Sequence, residues 1–286
     1  MIIWLSSYPK SGNTWLRFFI LSLLLKDQKD INLRDLDKIK QFPTKAQYER
    51  LNIKNINYEN LNEISNYWER SQEIINQSPG VKFFKTHNAL CKIDNNLFTN
   101  EENTLGVIYI VRDPRNVITS LNNHFHHENI EQSKKFLFDE RKGTFNKSKY
   151  LANENFALPQ VIGSWRTHYK SWKLLKKNYL LIKYENLIAD PVSEFTKVHS
   201  YLERVLKIKI SEKKFKKAIE LSRFERLREI EEKDGFSESI LNSKTGKKEK
   251  FFYLGPKNNW EKMLDKNISD EICKEFETEM KELEYI

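Results

Sequence analysis

The sequence predicts an α/β fold in which a central parallel sheet is flanked by helices on both faces. Short apolar segments alternate along the chain with longer segments of helical periodicity, which is typical of right-handed βαβ units. Residues 105–111 form a continuous apolar run, as expected for a strand buried on both faces of a parallel sheet. No Gly/Ser/Pro-rich linker interrupts the 286 residues, so we expect residues 1–286 to form a single domain.

The elements follow from the spacing of apolar residues. Strands are predicted at four apolar runs, which are residues 2–5, 81–86, 105–111 and 179–184. Helices are predicted where apolar residues recur at helical spacing, at residues 15–25, 60–77, 116–124, 161–177, 190–201, 212–221 and 270–283. Pro114 and Pro191 lie near the starts of two of these helices, a position that proline favours.

Four polar side chains lie at or just beyond the ends of the predicted strands. They are Lys10, His87, Arg112 and Tyr184. Ligands of parallel sheets lie outside the carboxyl ends of the strands, so we expect these side chains to share one site.

The segment between the first strand and the first helix is rich in small and turn-forming residues. A strand–loop–helix of this kind directs backbone N–H groups, a helix N-terminus and the ammonium of Lys10 at one point, which suits a phosphate or a sulfate. Gly12 lets the backbone approach the anion closely, and Ser11 and Thr14 add hydroxyl donors. The segment is not a Walker A sequence, because Lys10 precedes Gly12 instead of following it.

The order Tyr8-Pro9-Lys10-Ser11-Gly12-Asn13-Thr14-Trp15 resembles the 5′-phosphosulfate loop of the cytosolic sulfotransferase family, and we interpret the chain as a bacterial-like member. That family transfers a sulfuryl group from 3′-phosphoadenosine 5′-phosphosulfate (PAPS) and leaves 3′-phosphoadenosine 5′-phosphate (PAP). The resemblance implies a P-loop-like, phosphosulfate-binding strand–loop–helix. Its donor-binding residues would be Lys10, Ser11, Gly12, Asn13, Thr14 and Trp15.

Further segments resemble the nucleotide site of the same family, in the same order along the chain. Residues 111–120 are similar to its 3′-phosphate motif, which implies that Arg112 and Ser120 hold that phosphate. Tyr184 matches a tyrosine that contacts the nucleotide. The segment Ser222-Arg223-Phe224 matches one that contacts adenine through Ser222 and Phe224, with Trp15 stacking opposite.

The catalytic residues implied by the resemblance are His87, Lys10 and Lys85. Lys85-Thr86-His87 follows a strand, and a histidine there can accept a proton at physiological pH. In the family this position supplies the base that activates the acceptor hydroxyl. Lys10 and Lys85 would stabilise negative charge on the sulfuryl oxygens and on the leaving phosphate.

The C-terminal region departs from the family pattern Arg-Lys-Gly-x-x-Gly-Asp-Trp. Gly255 and Trp260 keep their separation, but Tyr253 and Leu254 occupy the positions of the two cations. We expect Gly255 to contact the donor. Compensation would come from Lys257 or from the lysines at 247, 248 and 250.

Residues 163–172 are similar to a helix of the family, and we expect a packing role for both of its tryptophans. The histidines at 124, 126 and 127 have no accompanying pattern of acidic ligands, so we expect them to border the acceptor pocket and expect no metal. The acceptor pocket would come from residues 32–77, 122–158 and 231–250.

The bulk properties bound the remaining possibilities. The net charge is +9, with 49 basic and 40 acidic residues, and we interpret it as a lysine-rich surface that attracts an anionic donor, with no nucleic-acid partner. Two isolated cysteines indicate a reducing compartment, and residues 18–25 are too short to span a membrane, so we expect a cytoplasmic protein.

The predicted function is PAPS-dependent transfer of a sulfuryl group to a hydroxyl, or to an amine, of a small molecule or a glycan. Two alternatives stay open: a nucleotide or small-molecule kinase of related topology, and a non-enzymatic polyanion-binding protein. Neither the acceptor nor the oligomeric state is specified by the sequence.

Overall fold

The central sheet has five parallel strands, which lie in the order Lys40–Gln41, Lys82–Thr86, Ile2–Ser7, Thr104–Val111 and Tyr179–Lys183. A computed structural model describes residues 1–25, 31–152, 156–239 and 250–286 of the chain, including all five of these strands. The strands of the described residues are β1 (Ile2–Ser7), β2 (Lys40–Gln41), β3 (Lys82–Thr86), β4 (Lys92–Ile93), β5 (Asn96–Leu97), β6 (Thr104–Val111), β7 (Gly143–Thr144), β8 (Gln160–Val161) and β9 (Tyr179–Lys183). The strands β4 and β5, and β7 and β8, form two small antiparallel pairs.

Helices connect these strands and cover the sheet. The α-helices of the described residues are α1 (Asn13–Leu24), α2 (Lys45–Tyr48), α3 (Leu61–Ser65), α4 (Trp68–Gln77), α5 (Pro114–Phe125), α6 (Ile130–Phe138), α7 (Lys147–Ala152), α8 (Trp165–Lys173), α9 (Tyr184–Ala189), α10 (Pro191–Leu206), α11 (Glu212–Leu221), α12 (Phe224–Asp234), α13 (Trp260–Met263), α14 (Lys266–Glu275) and α15 (Glu277–Glu282). Short 3-10 helices occur at Leu33–Lys38, Glu49–Leu51 and Gly255–Lys257.

Two hydrophobic cores lie on opposite faces of the sheet. Alternate residues of β1 point to opposite faces, so Trp4 packs into one core and Ile3 and Leu5 into the other. The first core includes aromatic residues of α4 and α8, and the second includes apolar residues of α1, α10 and α11. The predicted fold class, a parallel sheet covered on both faces, is therefore confirmed.

Three predicted helices differ from the structure. The helix predicted at 60–77 is two helices, α3 and α4, because the chain leaves helical geometry at Tyr67. The region 161–177 contains only the shorter α8: Gly163 makes a turn at φ 68°, and Ser164 then caps the helix through its hydroxyl. The helix predicted at 270–283 is also divided, into α14 and α15, at Phe276.

No helix in the described ranges is long and apolar enough to cross a membrane.

The strand ends match the prediction closely. His87 follows β3 and Arg112 follows β6 without an intervening residue, while Tyr184 begins α9 directly after β9. This places their side chains, with the loop after β1, at one edge of the sheet.

Candidate active site

A cavity of about 940 Å³ opens at the carboxyl edge of the parallel sheet. It is lined by loops that follow β1, β3, β6 and β9, which is where the topology of a parallel sheet places a ligand. The predicted site residues that line it are Lys10, Gly12, Asn13, Thr14, Trp15, Lys85, His87, Arg112, Ser120, Tyr184, Phe224 and Gly255.

The loop between β1 and α1 has the conformation of an anion cradle. Lys10 and Gly12 both have positive φ, at 68° and 99°, and Gly12 forms the N-cap of α1. A Cβ on Gly12 would lie 2.5 Å from the ring of Tyr184, so this position requires glycine. The hydroxyl of Ser11 is buried and has no hydrogen-bond partner in the described part of the chain, although Ser11 does not line the cavity. The first N–H groups of α1 also lack intrahelical acceptors, so the loop suits an oxyanion.

The side chain of Asn13 stabilises the loop by hydrogen bonds within the protein. Its side-chain amide donates to the carbonyl of Leu5 at 2.9 Å and to the hydroxyl of Ser7 at 3.2 Å. These bonds tie the start of α1 to β1 and hold the loop in its turn.

His87 is oriented by a backbone acceptor. Its Nδ1 lies 2.8 Å from the carbonyl oxygen of Ser7, which can only accept, so the ring proton belongs on Nδ1 and Nε2 is left as the basic nitrogen. Burial, followed by the charge of Lys85, lowers the pKa of His87 well below 6.5. The imidazole is therefore neutral at physiological pH, the state that a general base requires.

A second histidine supports the segment that carries His87. His168 places Nε2 3.1 Å from the carbonyl oxygen of His87, and its Nδ1 lies 2.8 Å from the hydroxyl of Tyr109. His168 is fully buried, and burial lowers its pKa to about 3. A neutral, bonded histidine thus fixes the backbone beneath the candidate base.

The basic groups near the loop share one carboxylate. Glu238 accepts from Arg17 at 2.5 Å, from Lys85 at 3.3 Å and from the hydroxyl of Thr14 at 3.0 Å. The charges of Arg17 and Lys85 lower the pKa of Glu238 against the opposing effect of burial, so it is ionised. Burial lowers the pKa of Lys10 to about 7, while Glu238 opposes this shift and Arg112 reinforces it.

Arg112 contacts the loop through its guanidinium. Its guanidinium is 4.2 Å from the centre of the Tyr184 ring, and it donates to the carbonyl of Lys10 at 3.0 Å. Its Nε is buried without a hydrogen-bond partner among the described residues. Ser120 lines the same cavity from the next turns of α5. Two donors are therefore available for a further anionic group.

Aromatic rings form a separate part of the cavity wall. The rings of Trp15 and Tyr184 lie 5.9 Å apart, and Phe224 lies 5.9 Å from Phe252. Flat apolar surfaces of this kind suit a purine. Ser222 does not line the cavity: it is buried, it is the C-cap of α11, and its hydroxyl donates to the carbonyl of Ile219.

The replacement cations expected near the C-terminus are not brought to the cavity together. Lys257 is exposed and is not a lining residue, whereas Lys250 lines the cavity but pairs with Glu232 at 2.5 Å. The lysines at 247 and 248 lie outside the described residues. The polar group that this region does supply is Asn258, whose side chain is held by Thr119 at 2.8 Å and by the carbonyl of Asn116 at 2.9 Å.

Part of the cavity lining consists of phenylalanines and histidines. Four phenylalanines line the cavity, at positions 125, 136, 145 and 156, together with His124, His126 and His127. These residues fall in the ranges expected for the acceptor pocket. No group of three or more metal-ligating side chains occurs in the ranges that the structure describes.

Two residues of the site were missed by the sequence analysis. Arg17 is the single charged residue of the apolar run 15–25, and it lies one helical turn after Thr14 on α1, which is a readable signal. Glu238 lies 221 positions from Arg17, and nothing in its local sequence indicates the contact.

Comparison with known proteins places the chain in a family. Residues 2–284 match the model of the sulfotransferase domain, and the chain belongs to this family. It is 27% identical over 205 residues to Sulfotransferase 1 family member D1 of Mus musculus, covering 71% of this chain and 59% of that protein. It is 22% identical over 271 residues to the luciferin sulfotransferase of Photinus pyralis, covering 92% and 67%.

Solved structures support the same fold. A mouse sulfotransferase complexed with PAP matches with a TM-score of 0.60 at 19% identity, over 98% of this chain and 84% of that one. Retinol dehydratase in complex with androsterone and inactive cofactor PAP matches with a TM-score of 0.59 at 16% identity, over 98% and 80%. The matched part of the chain spans about three fifths of the length of the mouse relative named above.

Proposed function

We propose that this protein transfers a sulfuryl group from PAPS to a hydroxyl or an amine of an acceptor. The observation that carries the proposal is the meeting of a neutral, oriented His87 with an oxyanion loop and the ammonium groups of Lys10 and Lys85 in one cavity. Membership of the sulfotransferase domain family supports it. The proposal takes residues 1–286 as one domain acting in the cytoplasm.

The residues present fit the donor. The unpartnered hydroxyl of Ser11 and the glycine cradle at Gly12 suit the 5′-phosphate, and the unpartnered Nε of Arg112, with Ser120, suits the 3′-phosphate. Trp15 and Phe224 would hold adenine. Asn13 contributes through its backbone, and Tyr184 and Gly255 complete the wall. We do not assign Ser222 or Lys257 a direct contact.

The proposed reaction is an in-line displacement. His87 accepts the acceptor proton at Nε2, the acceptor oxygen forms a bond to sulfur, and the bond between sulfur and the bridging phosphate oxygen breaks, releasing PAP. Lys10 and Lys85 stabilise the charge that develops on the bridging oxygen and the sulfuryl oxygens. No step of this proposed reaction requires a metal ion.

The acceptor is proposed to be a small molecule with an apolar body and a reactive hydroxyl. The phenylalanines in the cavity lining support this, and the names of two similar proteins, luciferin sulfotransferase and 3-beta-hydroxysteroid sulfotransferase, indicate acceptors of that kind for those proteins. A glycan acceptor would instead need a more polar cavity lining. The proposal includes no nucleic-acid partner.

Ligand binding followed by an acceptor screen tests the proposal. PAP should raise the melting temperature well above the effect of AMP or of ATP with Mg²⁺, and PAPS with a panel of phenols, sterols and amines should give sulfated products in the presence of EDTA. Phosphoryl transfer from ATP would instead establish a kinase. Binding of polyanions that disappears at moderate salt, without preference for PAP, would establish a polyanion-binding protein.

A further inference from the structure

Arg17, Thr14 and Lys85 surround a pocket that already holds an oxyanion. The occupant is the carboxylate of Glu238: one oxygen contacts Arg17 at 2.5 Å and Lys85 at 3.3 Å, and the other contacts Thr14 at 3.0 Å. A guanidinium, an ammonium and a hydroxyl that converge on one small anion form a strong oxyanion site.

The pocket adjoins both the anion loop and the segment that carries the candidate base. Thr14 belongs to the first turn of α1, at the loop, and Lys85 lies two residues before His87. The charge of Glu238 opposes the lowering of the pKa at both Lys10 and His87, so the carboxylate lies near both groups. The pocket is therefore close enough to both to hold a group that passes from a loop-bound phosphate to an acceptor activated by His87.

Arg17 is built into this pocket. Its side chain is only 4% exposed, and it also donates to the hydroxyl of Thr14 at 3.1 Å. Its Nε has no hydrogen-bond partner among the described residues, so the guanidinium keeps an unused donor. A buried arginine held in this way is a preorganised ligand for a tetrahedral or planar oxyanion.

We propose that this pocket receives the sulfuryl group of PAPS, that Arg17 contacts its oxygens, and that the Glu238 carboxylate is an internal occupant which the donor displaces. The inference rests on the proposed function. The sulfuryl oxygens and the carboxylate carry charge of the same sign and use the same donors, so they cannot share the pocket. Glu238 therefore opposes donor binding, and Arg17 adds a contact that PAP, which lacks the sulfuryl group, does not make.

Two variants and one control test the inference. Glu238→Gln keeps the shape and the acceptor oxygen but removes the charge, and Arg17→Lys keeps the charge but removes the fork of donors. Glu212→Gln is the control, since Glu212 is a surface glutamate of α11 that pairs with Lys216 and does not line the cavity. Affinities for PAPS and PAP are measured by calorimetry without an acceptor, and melting temperatures report folding.

We expect Glu238→Gln to bind PAPS about tenfold more tightly, and Glu212→Gln to bind it as the unmodified protein does. Arg17→Lys should weaken PAPS about tenfold and PAP hardly at all. Unchanged or weaker PAPS binding by a folded Glu238→Gln would show that Glu238 is a structural tie. Equal losses of affinity for PAPS and PAP in Arg17→Lys would show that Arg17 does not contact the sulfuryl group. If Arg17→Lys does not fold, the affinity of Glu238→Gln for PAPS alone decides.

Failure of the proposed function gives a separate result. In that case the unmodified protein would bind neither PAP nor PAPS in preference to AMP. Nucleotide binding by the unmodified protein detects this failure without any comparison between variants.

Discussion

The Nδ1 of His87 lies 2.8 Å from the carbonyl oxygen of Ser7, the last residue of β1. This bond joins the loop after β3 to the strand that carries the anion loop, and it fixes which ring nitrogen is basic. Because β1 and β3 are paired in parallel up to Ser6 and Thr86, the sheet register sets the distance between the base and the donor loop.

Replacing His87 tests the base directly. His87→Gln should keep its affinity for PAP but lose about a hundredfold or more in transfer to a hydroxyl, because only proton removal needs the imidazole. His199→Gln is a matched control, since His199 contacts the carbonyl of Ile210 and does not line the cavity. Unchanged transfer by His87→Gln would remove His87 from the mechanism and make His124, His126 and His127 the candidates.

Arg112 should recognise the 3′-phosphate. Loss of a charged hydrogen bond costs about 2 kcal/mol, so Arg112→Ala should bind PAP roughly thirtyfold more weakly. AMP is the control ligand, because Arg112→Ala also removes the 3.0 Å bond to the Lys10 carbonyl and could disturb the loop. Calorimetry should show little change for AMP. An equal loss for both nucleotides would contradict a role at the 3′-phosphate.

The sequence was informative wherever a functional residue directly follows a strand. A buried apolar run ends visibly, so the positions of His87, Arg112 and Tyr184 could be predicted from the residues that precede them. Topology then brings them to one edge of the sheet. The boundaries of the longer helices were less accurate, because one turn at Gly163 or one change of direction at Tyr67 divides an otherwise regular apolar pattern.

Contacts between distant segments could not be predicted in this way. The bond between Glu238 and Arg17 depends on how the chain after α12 folds over α1, and no local pattern encodes it. The same holds for Glu231, a buried carboxylate of α12 that accepts from the hydroxyl of Ser239 and from the backbone N–H groups of Phe251 and Phe252. Glu231 thereby fixes the backbone of Phe251 and Phe252, which line the cavity.

Gly12 and Gly80 form a natural pair for testing the anion loop. Both have positive φ, 99° and 84°, but a Cβ would meet the Tyr184 ring at 2.5 Å only at Gly12, with open space at Gly80. Gly80→Ala should lower the free energy of unfolding by roughly 1–2 kcal/mol because of backbone strain. Gly12→Ala should lower the free energy of unfolding by roughly 1–3 kcal/mol more because of the clash, and it should lose PAP binding. Urea unfolding measures both, and equal losses would contradict the requirement for close packing at Gly12.

The acid side of the pH profile should reflect His87. Transfer needs the neutral imidazole, which predominates above its pKa, and burial with the nearby charge of Lys85 lowers that pKa well below 6.5. The rate at saturating substrates should therefore stay constant as the pH falls through 6.5, and should decrease only at lower pH. A decrease with a midpoint at or above 6.5 would show that His87 is solvated or is not the base.

The alkaline side should reflect Lys10. Burial lowers the pKa of Lys10 to about 7 in the nucleotide-free protein, and the ammonium must be charged to attract the donor. Since a lysine loses its charge above its pKa, kcat/KM for PAPS should fall about tenfold for each pH unit above 7. Lys10→Arg keeps its charge throughout and should flatten this decline, whereas Lys10→Met should lose turnover at every pH with a smaller loss of PAP affinity. Steady-state measurements between pH 6 and 9 distinguish these cases, and a flat profile in the unmodified protein would show that the charge of Lys10 does not limit donor capture.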